Sequence, residues 1–345
     1  TAHRHHRAHP AFGSERSVGT AMRAAARAFA ALPRGTRLPV RAALAPAACA
    51  ARGPTAWAAA APAIGRPLST VGDAGAADDP SKVRTNTFKV AIRPGEGHRR
   101  QIGLWTGLRS TLVAEMISHV SGFDWFVIDM EHGPNELGDV LLQLQASQRG
   151  RAEPVVRVPW NEPVTVKRVL DLGAQTLIFP WVNTAAEAQQ AVEATRYPGL
   201  GGVRGVMSLA RMNNYGAANP GYYQDAAGQI CNIVQIETVK AVENIEEIAA
   251  VDGVDALFIG PSDLSASMGH IGKPQHPEVK ACIADAFKRI AATGKASGFL
   301  TANHDDCKWA LTLGCNFVAV GSDMQMLTAA TRAAAADFHA FCQML

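Results

Sequence analysis

A chain of 345 residues with 48% apolar and 18% charged side chains can build a sizeable core, as one large domain or two ordinary ones. The formal net charge of +3 conceals a division: residues 1–72 hold ten Arg, no Lys and a single acid, Glu15, whereas 73–345 hold 23 basic and 29 acidic residues. The mildly acidic body gives no reason to propose nucleic-acid binding, and no apolar run reaches the roughly 18–20 residues that span a bilayer.

The first segment reads as a targeting leader. It is rich in Ala and Arg and dotted with Ser, Thr and Pro, as mitochondrial transit peptides are. Met22 to Leu32 can form a basic amphipathic helix, and Arg66-Pro-Leu-Ser-Thr70 resembles a matrix-protease cleavage site. An Ala/Arg-biased stretch upstream of the true start would have the same composition. His3, His5, His6 and His9 are metal-capable but have no fixed scaffold. Residues 1–85 are therefore expected to be poorly ordered and to carry no chemistry, with the protein in the mitochondrial matrix or, failing that, the cytoplasm. The six Cys (49, 231, 282, 307, 315, 342) include no C-x-x-C pair and suit a reduced compartment.

From Phe88 onward, short apolar runs alternate with longer amphipathic stretches. Strands are predicted at Gly103–Leu108, Trp125–Met130, Pro154–Val158, Thr176–Pro180, Asn232–Glu237, Ala256–Gly260, Ala296–Leu300 and Phe317–Gly321. Helices are predicted between them at Ser110–His119, Leu137–Arg149, Val164–Leu172, Ala185–Ala194, Val239–Ala249, Pro277–Thr293 and Asp305–Leu313. Eight such units in about 250 residues imply an α/β fold closed as a (β/α)8 TIM barrel over 86–345. An open doubly wound sheet would bring a Gly-rich phosphate loop after the first strand, and Gly103-Leu-Trp-Thr-Gly107 is not G-x-G-x-x-G.

A barrel of this kind places its chemistry at the C-terminal ends of the strands. Glu237 and Asp263 end neighbouring strands, so their carboxylates can converge on one hard cation such as Mg²⁺ or Mn²⁺; singly, Asp263 would read as a helix cap and Glu237 as a solvated acid. Arg157 stands in an apolar strand, where an unpaired charge is very costly. Its planar fork suits a carboxylate or developing enolate oxygen, with Glu131 as the structural alternative. Asp129 and His132 form a candidate acid/base pair, although His132 could instead complete a zinc-like site. No lysine falls at the C-terminal end of a strand, which disfavours a Schiff base.

Ile128-Asp-Met-Glu-His-Gly-Pro-Asn135, Pro154-Val-Val-Arg-Val-Pro-Trp-Asn161, Val203-Arg-Gly-Val206, Val234-Gln-Ile-Glu-Thr238 and Phe258-Ile-Gly-Pro-Ser-Asp-Leu-Ser265 resemble the HpcH/HpaI family of metal-dependent pyruvate aldolases. The resemblance runs through 88–345. It implies cleavage of 2-keto-4-hydroxy acids to pyruvate and a small aldehyde, with Mg²⁺, Mn²⁺ or Co²⁺ held by Glu237 and Asp263. It further implies that Arg157 offsets the enolate charge and that His132, oriented by Asp129, relays a proton through water. Gln235 would support the metal or substrate, and the backbone of Gly260, Pro261 and Ser262 would receive the pyruvate carboxylate. Asp171 matches a position that reaches a neighbouring subunit's site, implying a homo-oligomer, a hexamer in form. Met207–Gly216 departs from the family pattern and is expected at the aldehyde end. Related lyases acting on citramalyl- or malyl-CoA, and oxaloacetate decarboxylation through the same enolate, are the alternatives; a barrel that has lost catalysis would lack Arg157, Glu237 or Asp263.

Overall fold

The computed structural model describes residues 79–95, 99–219 and 221–345, so residues 1–78 of the leader expected over 1–85 lie outside the described residues. The eight strands are β1 (Gln101–Thr106), β2 (Trp125–Asp129), β3 (Glu153–Arg157), β4 (Thr176–Phe179), β5 (Cys231–Ile236), β6 (Ala256–Ile259), β7 (Ala296–Leu300) and β8 (Phe317–Ser322). All neighbours pair in parallel and β8 returns to β1, closing the barrel. Most boundaries fall within one residue of the sequence expectation; β1 starts and ends two residues earlier.

Apolar strand residues face two ways, which is why these strands read as continuous hydrophobic runs. One set, including Val156, Leu177, Val234 and Leu257, packs outward beneath the helices. The other, including Trp125, Val127, Ile233, Phe258 and Phe317, fills the barrel. Two glycines make room for the large rings: a Cβ on Gly103 would fall 2.3 Å from the Trp125 indole, and one on Gly298 2.3 Å from the Phe317 ring. A short helix, α1 (Thr87–Ile92), plugs the N-terminal end. Its Phe88 lies 5.5 Å from Trp125 and 5.4 Å from Phe317, ring centre to ring centre.

The body begins earlier than residue 86. Arg84 pairs with Glu153 at 2.5 Å, its carbonyl accepts from Gln175, and Val83 packs against the cluster of Tyr197 and Tyr222. Residues 79–85 thus belong to the barrel's base, because their few polar and apolar groups find partners there.

The helices that follow β1 to β4 are α2 (Thr111–Val120), α3 (Leu137–Ala146), α4 (Pro163–Asp171) and α5 (Ala185–Thr195). A 3₁₀ segment (Arg211–Gly216) and α6 (Gly221–Gln229) precede β5. The single helix expected after β5 is two, α7 (Val239–Glu243) and α8 (Ile245–Ala250), broken at Asn244, whose φ of −100° and ψ of 16° leave the helical region. Then come α9 (Pro261–Ser267), α10 (Pro277–Ala292), α11 (His304–Thr312) and α12 (Asp323–Cys342). Beyond Asp323, all of α12 is exposed, including Met324, Leu327, Phe338 and Phe341. No helix among the described residues is long and apolar enough to cross a membrane.

Candidate active site

The polar residues singled out from sequence divide by position. Asp129 and Arg157 end β2 and β3 side by side in register, and both are buried. Arg157 Nε donates to Asp129 Oδ1 at 2.9 Å and its Nη2 to Oδ2 at 2.6 Å, a two-pronged clamp. Nη1 lies 2.7 Å from Glu131 Oε2. The Trp105 indole N–H donates to Asp129 Oδ2 at 3.0 Å, and the guanidinium carbon stands 4.8 Å from the Trp105 ring centre. Burial alone would raise the Asp129 pKa, but the bonds and charge of Arg157, with those of Trp105 and the Glu131 N–H, bring it below the usual range.

This arrangement corrects the proposed Asp129–His132 pairing. Asp129 Oδ1 accepts the backbone N–H groups of Glu131 at 3.0 Å and His132 at 3.3 Å, so it shapes the loop and clamps Arg157. The loop is fixed further by Asn135, which donates to the Asp129 carbonyl at 2.7 Å and accepts from Gln143 at 2.8 Å. His132 is exposed at the mouth, on this loop.

Glu237 follows β5 and is 2% exposed. Its Oε1 accepts the Trp181 backbone N–H at 2.7 Å and its Oε2 accepts from Gln235 Nε2 at 2.8 Å. Gln235 Oε1 is buried and has no hydrogen-bond partner. Burial pushes the Glu237 pKa up to about 7; the Trp181 bond pulls it down, and the charges of Glu131 and Asp263 raise it. Glu131 is raised for the same leading reason, burial, with Arg157 opposing and Asp263 among the charges that reinforce it. Asp263, in the first turn of α9, is half-buried.

Gly260 lies between these parts. A Cβ there would fall 2.6 Å from Glu237 Oε2, so the carboxylate occupies the space that a side chain would take. The Gly260 N–H donates to the Ile236 carbonyl at 3.2 Å and Pro261 has none, which leaves the Ser262 N–H as the donor this stretch can offer a carboxylate.

Asp171 is not gathered with the others. It ends α4 at the opposite, N-terminal end of the barrel, 3.5 Å from the buried Arg204. The Met207–Gly216 segment lies at that end too, where Arg211 Nη1 donates to the Leu172 carbonyl at 2.8 Å. It does not line this chain's own mouth, contrary to the expectation that it forms the aldehyde end there.

Sequence reasoning missed two contributors. Trp105 could have been found from its place one residue before the end of β1, facing the charged ends of β2 and β3. Trp181 acts through its main chain and left no side-chain signal; its φ of +56° is uncommon for a non-glycine residue and aims its N–H at Glu237.

Residues 101–330 match the model of the HpcH/HpaI aldolase/citrate lyase family. The chain belongs to that family. It is 51% identical over 256 residues to a 4-hydroxy-2-oxo-heptane-1,7-dioate aldolase of Escherichia coli, covering 74% of this chain and 95% of that one. A Klebsiella pneumoniae protein of the same name is 51% identical over 254 residues, 73% of this chain and 94% of the relative. A crystal structure of an HpcH/HpaI aldolase/citrate lyase family protein from Burkholderia cenocepacia superposes with a TM-score of 0.70 at 40% identity, over 74% of this chain and all of that one. This family member is a carbon–carbon lyase of the aldolase class.

Proposed function

We propose that the chain cleaves 4-hydroxy-2-oxo acids to pyruvate and an aldehyde with a divalent cation, Mg²⁺, Mn²⁺ or Co²⁺, held by Glu237 and Asp263. The observation that carries the reading is a charge imbalance at the barrel mouth. Asp129, Glu131 and Glu237 interact there with Arg157, the charge of Asp263 reaches Glu131 and Glu237, and Asp129 is already matched to Arg157. Three further carboxylates, two of them with raised pKa, suit a hard cation with oxygen ligands. The residues present fit such an ion: Gly260 leaves space at the Glu237 carboxylate, and Gln235 and Trp181 hold its orientation.

When bound, the cation supplies positive charge that polarises the keto group of the substrate. The chain's own residues do the rest. A proton leaves the 4-hydroxyl group, the C3–C4 bond breaks, the aldehyde departs and the electron pair becomes the enolate of pyruvate. Arg157, fixed by Asp129 and backed by Trp105, presents a preorganised charge to the enolate oxygen. The Ser262 N–H orients the carboxylate, and His132 moves the proton through water at the open side of the mouth before C3 is protonated.

The E. coli relative's name specifies 4-hydroxy-2-oxo-heptane-1,7-dioate, and the extent of the match makes this seven-carbon diacid the first substrate to try. Pyruvate release from it, set beside release from shorter 4-hydroxy-2-oxo acids, tests the assignment. A kcat/KM highest for the diacid supports it; preference for a substrate without the distal carboxylate overturns it.

The active form is a homo-oligomer, a hexamer. The exposed apolar residues of α12 and of α2 (Leu112, Met116, Val120), and the distance of Asp171 from its own chain's mouth, support a surface completed by other subunits. Light scattering at working concentration tests this, a monomer being contradictory. The Arg-rich, acid-poor leader supports the mitochondrial matrix; cytosolic location of a tagged full-length chain would count against it.

A further inference from the structure

The loop that joins α9 to α10 carries a second constellation, outside the barrel mouth. Two tight turns, Lys273 N–H to the His270 carbonyl at 2.9 Å and His276 N–H to the Lys273 carbonyl at 3.0 Å, fold His270 back onto His276. The two imidazoles are stacked, 3.6 Å apart between centres and 16° from parallel. Glu278, in the first turn of α10, places Oε2 2.8 Å from His270 Nε2. The Glu278 backbone N–H reaches His276 Nδ1 at 3.4 Å, capping the helix and leaving the Nε2 edge of that ring for another contact. One ligand atom from each of the three residues lies within 4.8 Å of the others. The nearest basic side chain in the following turn, Lys280, is turned away, paired with Asp306 at 2.9 Å and lying over the Trp309 ring.

We propose that His270, His276 and Glu278 form a binding site for a zinc-like divalent ion, separate from the cation held at the mouth. Two imidazoles and a carboxylate are a ligand set of borderline softness, suited to Zn²⁺ or Co²⁺, whereas the all-carboxylate mouth suits harder ions. A shared cation can take one nitrogen from each ring and one oxygen from Glu278, since these ligand atoms already lie within 4.8 Å of one another. The half-exposure of both histidines gives an ion an entry path, and the fourth position stays open to water. The site also has a mechanical consequence. The His270 N–H donates to the Ser265 carbonyl at 2.7 Å, and the Ser265 hydroxyl donates to the Ser262 carbonyl at 2.7 Å. An ion here therefore ties α10 to α9, the helix that bears Asp263.

The test uses the full chain with His3, His5, His6 and His9 changed to Gln and with Glu237→Gln, so that neither the leader nor the mouth competes. Co²⁺ is titrated and followed by its visible d–d bands, then displaced with Zn²⁺. One equivalent should bind with nitrogen and oxygen ligation, and His270→Gln, which leaves the His276 cap intact, should weaken it by more than about tenfold. Glu278→Gln should weaken it similarly. Should Glu237→Gln not fold, the chain with Glu237 restored should lose one of two Zn²⁺ equivalents on His270→Gln. Absence of a bound equivalent, an affinity unchanged by His270→Gln, or a thiolate-to-cobalt charge-transfer band would each overturn the proposal.

Discussion

Arg157 is held by Asp129 through two parallel bonds of 2.9 and 2.6 Å between the ends of adjacent strands, with both residues buried. Asp129→Ala leaves that guanidinium with Glu131 as its acidic partner. The expected cost is about 3–5 kcal/mol in unfolding free energy and a fall in kcat of about a hundredfold or more. Denaturant melts and steady-state kinetics check both.

His132 should behave differently. It is exposed, so His132→Gln should change stability by no more than about 0.5 kcal/mol while lowering kcat by roughly 10²–10⁴-fold. Because Asp129 bonds the main chain of His132 and not its ring, the two substitutions should lower kcat independently, their losses multiplying in the double variant. A double variant no slower than the slower single variant would restore the orienting role read from sequence.

These two residues show what the sequence made legible. The alternation of apolar runs sets the barrel, since buried parallel strands must be hydrophobic on both faces, and it locates Asp129, Arg157 and Glu237 at strand ends, with Asp263 in the first turn of the helix after β6. Which of them pair is decided by register. Asp129 stands beside Arg157 on the neighbouring strand, and that charge outcompetes the histidine three residues along the chain. Trp181 was invisible because it contributes a backbone N–H, and α12 because its apolar residues beyond Asp323 stay exposed and give no buried stripe. Asp171 and Met207–Gly216 follow motifs that order residues along the chain without saying which end of the barrel they occupy.

Gly260→Ala tests the space at Glu237. The added methyl would begin 2.6 Å from Oε2, so the carboxylate must swing away from Gln235. The affinity for Mn²⁺ should fall by about 10–100-fold, measured by calorimetry, with the fold retained. An unchanged affinity would show that Glu237 holds no cation.

The raised Glu237 pKa sets a pH dependence. Its folded value of about 7 lies above the ordinary 4.5, so between these values the folded chain keeps a proton that the unfolded chain has released. The stabilisation from this group is present below about pH 4.5 and is lost as pH rises through about 7, in the metal-free protein. The bound cation has to displace that proton, so metal affinity should weaken by up to about tenfold per unit below pH 7 and level off above it. Calorimetric titrations from pH 5.5 to about 8.5 check this; Glu237→Gln should abolish the dependence.

Phe88 tests the plug at the barrel's base. It is 1% exposed between Trp125 and Phe317, and Phe88→Ala should cost about 3–5 kcal/mol. Residual activity of the folded fraction should be unchanged, since the mouth lies at the other end.

The most direct measurement is pyruvate release from 4-hydroxy-2-oxoheptanedioate by the full chain, first after EDTA and then with Mg²⁺, Mn²⁺ or Co²⁺ restored. Cleavage abolished by EDTA, recovered with metal, and absent at every metal concentration in Glu237→Ala is the predicted result. Cleavage that continues undiminished in EDTA, or survives in Glu237→Ala, would contradict a cation held by Glu237 and Asp263.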